Sequence, residues 1–107
     1  FPEYFRALGP VAILVLPAAF TATTGEAHWE VLLRARAIEN QCYVIASAQG
    51  GRHETGRKTW GHSMIIDPWG EIMGVLPTGE GWVCADFNRQ RIETVRHRLP
   101  ARKHRRI

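Results

Sequence analysis

One stretch of the chain changes its apolar period within a few residues, and that change limits the folds open to it. From Gly25 to Gln41, Val31, Leu32, Ala35 and Ile38 fall at i, i+1, i+4 and i+7, the spacing of one helix face. Cys42 to Ala48 follows directly as a strand-like run. Upstream, Val11-Ala12-Ile13-Leu14-Val15-Leu16 is continuously apolar between Gly9-Pro10 and Pro17, which suits a strand buried on both faces. Strand, helix and strand in this order predict a mixed α/β fold.

The flanking segments fit that frame. Pro2 to Leu8 reads as a short helix with proline in its first turn and Gly9-Pro10 ending it. Ala18 to Thr24 reads as a loop leaving the first strand, Thr24 as a cap for the long helix, and Glu26 as a charge near the positive end of its dipole. Glu30 and Arg34 form an i,i+4 pair, worth about 0.3 kcal/mol if exposed. Gln49 to Trp60 reads as a polar, glycine-containing loop forming a rim. His62–Ile66 and Glu71–Leu76 are predicted strands joined by the turn Asp67-Pro68-Trp69-Gly70. A second turn, Pro77 to Gly81, leads to a strand over Trp82–Phe87. Asn88 caps a last helix, Arg89 to Leu99, striped by Ile92, Val95 and Leu99 and stopped by Pro100. The two longer helices are expected to cover one sheet face, which leaves the other in need of cover.

A chain of 107 residues, 45% apolar, is a single folded domain or part of one. Its charge is uneven. Residues 88–107 hold eight basic side chains and one acid, whereas the preceding residues hold six basic and nine acidic ones. The longest apolar run, Val11 to Phe20, is too short to span a bilayer, so a soluble, cytoplasmic protein with no membrane partner is expected. Cys42 and Cys84 lie in strand-like runs without metal-ligand spacing and read as buried, inert thiols in a reduced compartment.

Several motifs together resemble the nitrilase superfamily of carbon–nitrogen hydrolases, nearly end to end. Phe1-Pro2-Glu3 resembles the close of the pattern Cys-Tyr-Asp-x-Arg-Phe-Pro-Glu. Leu16-Pro17-Ala18-Ala19-Phe20 with Thr24-Gly25-x-Ala27-His28-Trp29 resembles the amidase branch. Glu39 to Val44 and Ala48-Gln49-x-Gly51-Arg52-His53 are most similar to the deaminated glutathione amidases, and next to the omega-amidases. Gly61-His62-Ser63-Met64-Ile65-Ile66-Asp67-Pro68-Trp69-Gly70 completes the set.

The resemblance implies the C-terminal half of a four-layer α-β-β-α sandwich. It also implies hydrolysis of a small carboxylated amide to acid and ammonia through a cysteine thioester, helped by two glutamates and a lysine. All four catalytic residues of the family precede Phe-Pro-Glu. They are therefore expected upstream of Phe1, with no catalytic residue within residues 1–107 and no amidase activity in the isolated chain. No metal or organic cofactor is implied. Association into a homo-oligomer is expected through helix 25–41 and a basic arm at 100–107.

Two residues are expected to bind substrate: Phe20 through its apolar ring and Thr24 through its hydroxyl, both on the loop at the end of the first strand. Core packing for Phe20 and helix capping for Thr24 are the alternatives. His28, His53 and His62 lack a metal-ligand pattern, and His62 reads as a hydrogen-bonded structural residue. The loop carrying Arg52, His53, Glu54, Arg57 and Lys58 is either solvated surface or part of an acidic substrate's pocket. The basic tail leaves open a non-catalytic or nucleic-acid-binding module, though it lacks the interleaved aromatics that stack on bases.

Overall fold

The computed structural model describes residues 1–106, so Ile107, the last residue of the expected arm, lies outside the described residues. Helix α1 (Pro2–Ala7) leads into strand β1 (Ile13–Ala18), helix α2 (Ala22–Asn40) and strand β2 (Tyr43–Ala48). Strands β1 and β2 pair in parallel, Ile13 opposite Tyr43 and Ala18 opposite Ala48. A parallel pair needs a long crossover, and α2 supplies it. Strands β5 (Ser63–Ile66) and β6 (Ile72–Leu76) extend the sheet antiparallel, giving the order β1-β2-β5-β6. The mixed α/β architecture is as expected.

Helix α2 packs on one sheet face through Gly25, Trp29, Leu33 and Ala37, four residues apart along one side. They meet Leu14, Val44, Ala46, Met64 and Ile66 in the core. The expected inner stripe is therefore corrected: Val31, Leu32 and Ile38 point away from the sheet and are exposed. Both stripes have helical spacing, and only one contains a glycine and a tryptophan able to bring α2 close to the sheet. The helix also begins one turn early, with Thr21 at its N-cap. It ends at Gln41, held in the left-handed region (φ 51) that ordinarily favours glycine. There the buried Gln41 amide nitrogen donates to the Leu99 carbonyl.

The second sheet face is largely bare, so β1 is not buried on both faces: Val15 is 68% exposed, with Ile13 and Ile45 also open. Its partial cover is a second correction. Residues 82–87 form no strand; Val83 packs over Gly74, and Phe87 sits 5.1 Å from the Tyr43 ring. Gly74 pairs with Ile65, and Ile65 with Ile45, so these contacts lie on the face away from α2. The run resembles a strand in sequence because it is apolar, but it crosses the face instead of joining a ladder. Cys84, expected to be buried, is exposed for the same reason.

Helix α3 (Arg89–Arg98) is capped as expected: Asn88 accepts from the Gln90 N–H at 2.9 Å. It does not share a sheet face with α2, as had been expected. Arg96 donates to the carbonyls of Gln41 (3.1 Å) and Val11 (2.7 Å), and Arg91 donates to Asp67 (3.0 Å). Val11 and Gln41 precede β1 and β2, and Asp67 follows β5, so α3 closes one end of the sheet. The chain turns at Ala101–His104, where Arg102 reaches the Asn40 carbonyl at 3.4 Å. Arginines at the carboxyl end of α2 complement its dipole.

Candidate functional site

Away from α3, the opposite end of the sheet gathers the polar motifs. Here β1 and β2 end and β5 begins, the position at which α/β sheets bind ligands. The segment expected to be a plain loop, Gln49 to Trp60, contains a hairpin of β3 (Gly50–Arg52) and β4 (Lys58–Trp60). The hairpin is stitched to the chain leaving β1. Thr21 bridges Thr59, and the Trp60 N–H donates to the Phe20 carbonyl at 2.9 Å.

Three close approaches fix this corner. A Cβ on Gly25 would lie 2.4 Å from Trp60 Cβ, so only glycine lets α2 sit on the Trp60 side chain. Trp60 stacks on His62 with ring centroids 4.1 Å apart and planes 6° apart. The Trp29 indole N–H donates to the His62 carbonyl at 2.9 Å, and His62 Nδ1 lies 2.8 Å from the Trp60 carbonyl. His62 is thus a hydrogen-bonded, stacked residue, and its φ of 56 is held by contacts on both sides.

Phe20 is half-buried, its ring 5.3 Å from Trp29. Thr24 is exposed in the first turn of α2, and its hydroxyl donates to the Thr21 carbonyl at 3.1 Å. It does not cap the helix; that position belongs to Thr21. The two expected substrate residues therefore share one corner, with the Thr24 hydroxyl oxygen still able to accept.

Sequence reasoning missed Thr21 and Thr59. Thr59 is buried, and its hydroxyl lies 2.7 Å from His53 Nε2. Arg57 Nη2 donates to the Ala19 carbonyl (3.0 Å) and to the Thr21 hydroxyl (3.3 Å). The run Arg57-Lys58-Thr59 is polar throughout, so no apolar alternation marked the strand.

The cysteines do not reach this corner. Cys42 precedes β2, at the α3 end of the sheet, fully buried. Burial pushes its thiol up from 9.0 to about 11, against the pull of Arg96 and Arg102. That leaves almost no thiolate at neutral pH. Arg96 is pushed down, first by burial and then by Arg102.

Fold and motifs together define a carbon–nitrogen hydrolase: residues 1–97 match that family, and the chain belongs to it. Among its relatives, the deaminated glutathione amidase of Yersinia enterocolitica is 48% identical, matching 100% of this chain and 38% of its own length. The Synechocystis deaminated glutathione amidase is 51% identical over 98% of this chain and 39% of its own. The human protein of that name is 49% identical over 99% of this chain and 33% of its own. The chain thus spans well under half the length of these relatives. The crystal structure of Saccharomyces cerevisiae Nit3, a member of branch 10 of the nitrilase superfamily, superposes with a TM-score of 0.90 at 33% identity. That match covers 100% of this chain and 40% of Nit3. The C. elegans NitFhit protein gives a TM-score of 0.84 at 43% identity, over 99% of this chain and 26% of its own.

Proposed function

We propose that this chain, joined to a segment bearing a Cys, Lys and two Glu, completes an amidase acting on a small carboxylated amide of the deaminated glutathione kind. The reading is supported chiefly by 48% identity over the whole chain to an enzyme named for that activity. In the proposed reaction the thiolate adds to the amide carbon, the C–N bond breaks and the departing nitrogen takes a proton to leave as an amine. For deaminated glutathione that amine is cysteinylglycine and not the ammonia of a primary amide. Water then cleaves the thioester to free the acid and restore the thiol. This chain contributes the wall at the end of β1, where Phe20 packs on apolar substrate atoms and Thr24 bonds a carbonyl or carboxylate.

The bare face bearing Ile13, Val15 and Ile45 suits a second sheet, the inner pair of a four-layer sandwich. The outward stripe of α2, Val31, Leu32 and Ile38, suits contact with another subunit, as does the basic arm that starts near the carboxyl end of α2. Among the described residues no helix is long and apolar enough to cross a membrane.

Release of cysteinylglycine from deaminated glutathione tests the proposal. The intact enzyme should turn it over, and Thr24→Val should raise KM. The isolated chain should release none, because Cys42 is buried away from the pocket; turnover by the chain alone would refute the assignment.

A further inference from the structure

The hairpin loop offers a cation that the proposed chemistry has not used. Arg57 lies just before β4, two residues from Thr59, and bonds to Thr21, the bridge partner of Thr59. Arg57, Thr59 and Thr21 therefore share one side of the hairpin. Arg52 pairs with Lys58 on the other side. Nη2 of Arg57 is committed to the Ala19 carbonyl and the Thr21 hydroxyl, which aims the guanidinium across the chain that carries Phe20 and Thr24. Among the described residues its Nε and Nη1 donors have no hydrogen-bond partner. Among the described residues no carboxylate lies within ion-pair distance of it, and the first turn of α2 contains no acid.

An arginine held by two bonds and left without a counter-ion is pre-oriented for an anion. Little further side-chain entropy is lost when one arrives. Resting on the amidase reading above, we propose that Arg57 is a specificity-determining residue that binds the glycyl-end carboxylate of the amide substrate, remote from the bond that is cut. Phe20 and Thr24 supply the neighbouring apolar and hydroxyl contacts. The substrate class is accordingly an amide with an anionic end, and an uncharged analogue forfeits this contact.

The test compares deaminated glutathione with its glycyl methyl ester in the intact enzyme that contains this chain. Arg57→Gln should lower the selectivity, the ratio of kcat/KM for acid over ester, by roughly tenfold to a hundredfold, the range for a hydrogen bond to a charged group. The loss should appear mainly in KM. Arg57→Lys should recover part of it, since the charge remains without the two-bond anchor. Arg52→Gln, on the other side of the hairpin, should leave the ratio unchanged. An equal fall for acid and ester would reduce Arg57 to a staple between the hairpin and the β1–α2 connection and overturn the proposal. If the unsubstituted enzyme hydrolyses neither compound, the amidase reading itself fails and this proposal with it.

Discussion

Gly25→Ala is the sharpest probe of how the pocket corner is built, because two well-known effects oppose each other there. On helix propensity alone, alanine inside α2 should stabilise the protein by about 1 kcal/mol. Yet the new methyl would lie 2.4 Å from Trp60 Cβ and 2.6 Å from its Cγ, both far inside the ~3.5–4.0 Å of favourable carbon contact. Trp60 Cβ is bound to the backbone of β4 and cannot swing aside, so the hairpin or the helix must shift. Overpacking of this kind costs about 1–3 kcal/mol. Displacing Trp60 from its stack on His62 adds ~0.5–1.5 kcal/mol. The steric side wins, and Gly25→Ala should destabilise by about 1–3 kcal/mol in urea unfolding followed by circular dichroism. A double-mutant cycle isolates the cause: in a Trp60→Ala background part of the clash is gone, and Gly25→Ala should cost clearly less. Equal cost in both backgrounds, or stabilisation in the parent, would refute the packing argument.

Asp67 organises the Asp67-Pro68-Trp69-Gly70 turn, one carboxylate oxygen accepting from the N–H groups of Trp69 (2.8 Å) and Glu71 (2.9 Å) and the other from Arg91. Asp67→Ala should lower stability by about 2–4 kcal/mol in thermal melts, and Asp67→Asn should fall between the two. In thiol titration with a disulfide reagent at neutral pH, Cys84 should react at once and Cys42 only after denaturation; fast labelling of both would contradict the burial described. The raised pKa of Cys42 has a definite sign. The unfolded thiol ionises near 9.0 and the folded one near about 11, so stability is full below pH 9, falls as pH rises through that window, and Cys42→Ala should lack this part of the loss. Val15→Asp should be nearly silent in the isolated chain and strongly destabilising in the intact enzyme; equal effects in both would argue against a second sheet on that face.

Much of the architecture was legible because local signals agreed. Gly9-Pro10 marked the approach to β1, although the strand starts at Ile13 and runs through Pro17 to Ala18 instead of stopping before that proline. Asn88 marked the start of α3, and Asp67 to Gly70 announced their turn. The Glu30–Arg34 pair forms as expected, at 3.6 Å. Legibility failed where a local pattern fitted two tertiary outcomes. Residues 82–87 have the composition of a strand, but they lie across the sheet face at Gly74 and Tyr43 instead of pairing along an edge. For the candidate site, the sequence placed Phe20 and Thr24 on the chain leaving β1 but did not show the hairpin that braces that chain. Thr21, Arg57 and Thr59 are ordinary polar residues until cross-chain pairing brings them together, and no spacing rule encodes that pairing.

Helix α2 shows most clearly why periodicity alone could not assign its faces. Trp29, Leu33 and Ala37 form one apolar stripe, and Val31, Leu32 and Ile38 form another. A helix apolar on two sides has no single amphipathic direction, so the pattern identifies a helix without saying which side meets the sheet. Close approach decides it. Gly25 admits Trp60, and Ala37 lies fully buried, so this is the side on which the backbone can come nearest the sheet. The bulkier stripe is left outward and remains exposed among the described residues. An exposed apolar stripe on the outside of a layer is a surface that calls for a partner. The same reasoning applies to Ile13, Val15 and Ile45 on the far side of the sheet. The two open faces lie on opposite sides of one compact layer pair, so two different neighbours are required to close them. That matches the proposal of a second sheet on one side and a subunit contact on the other.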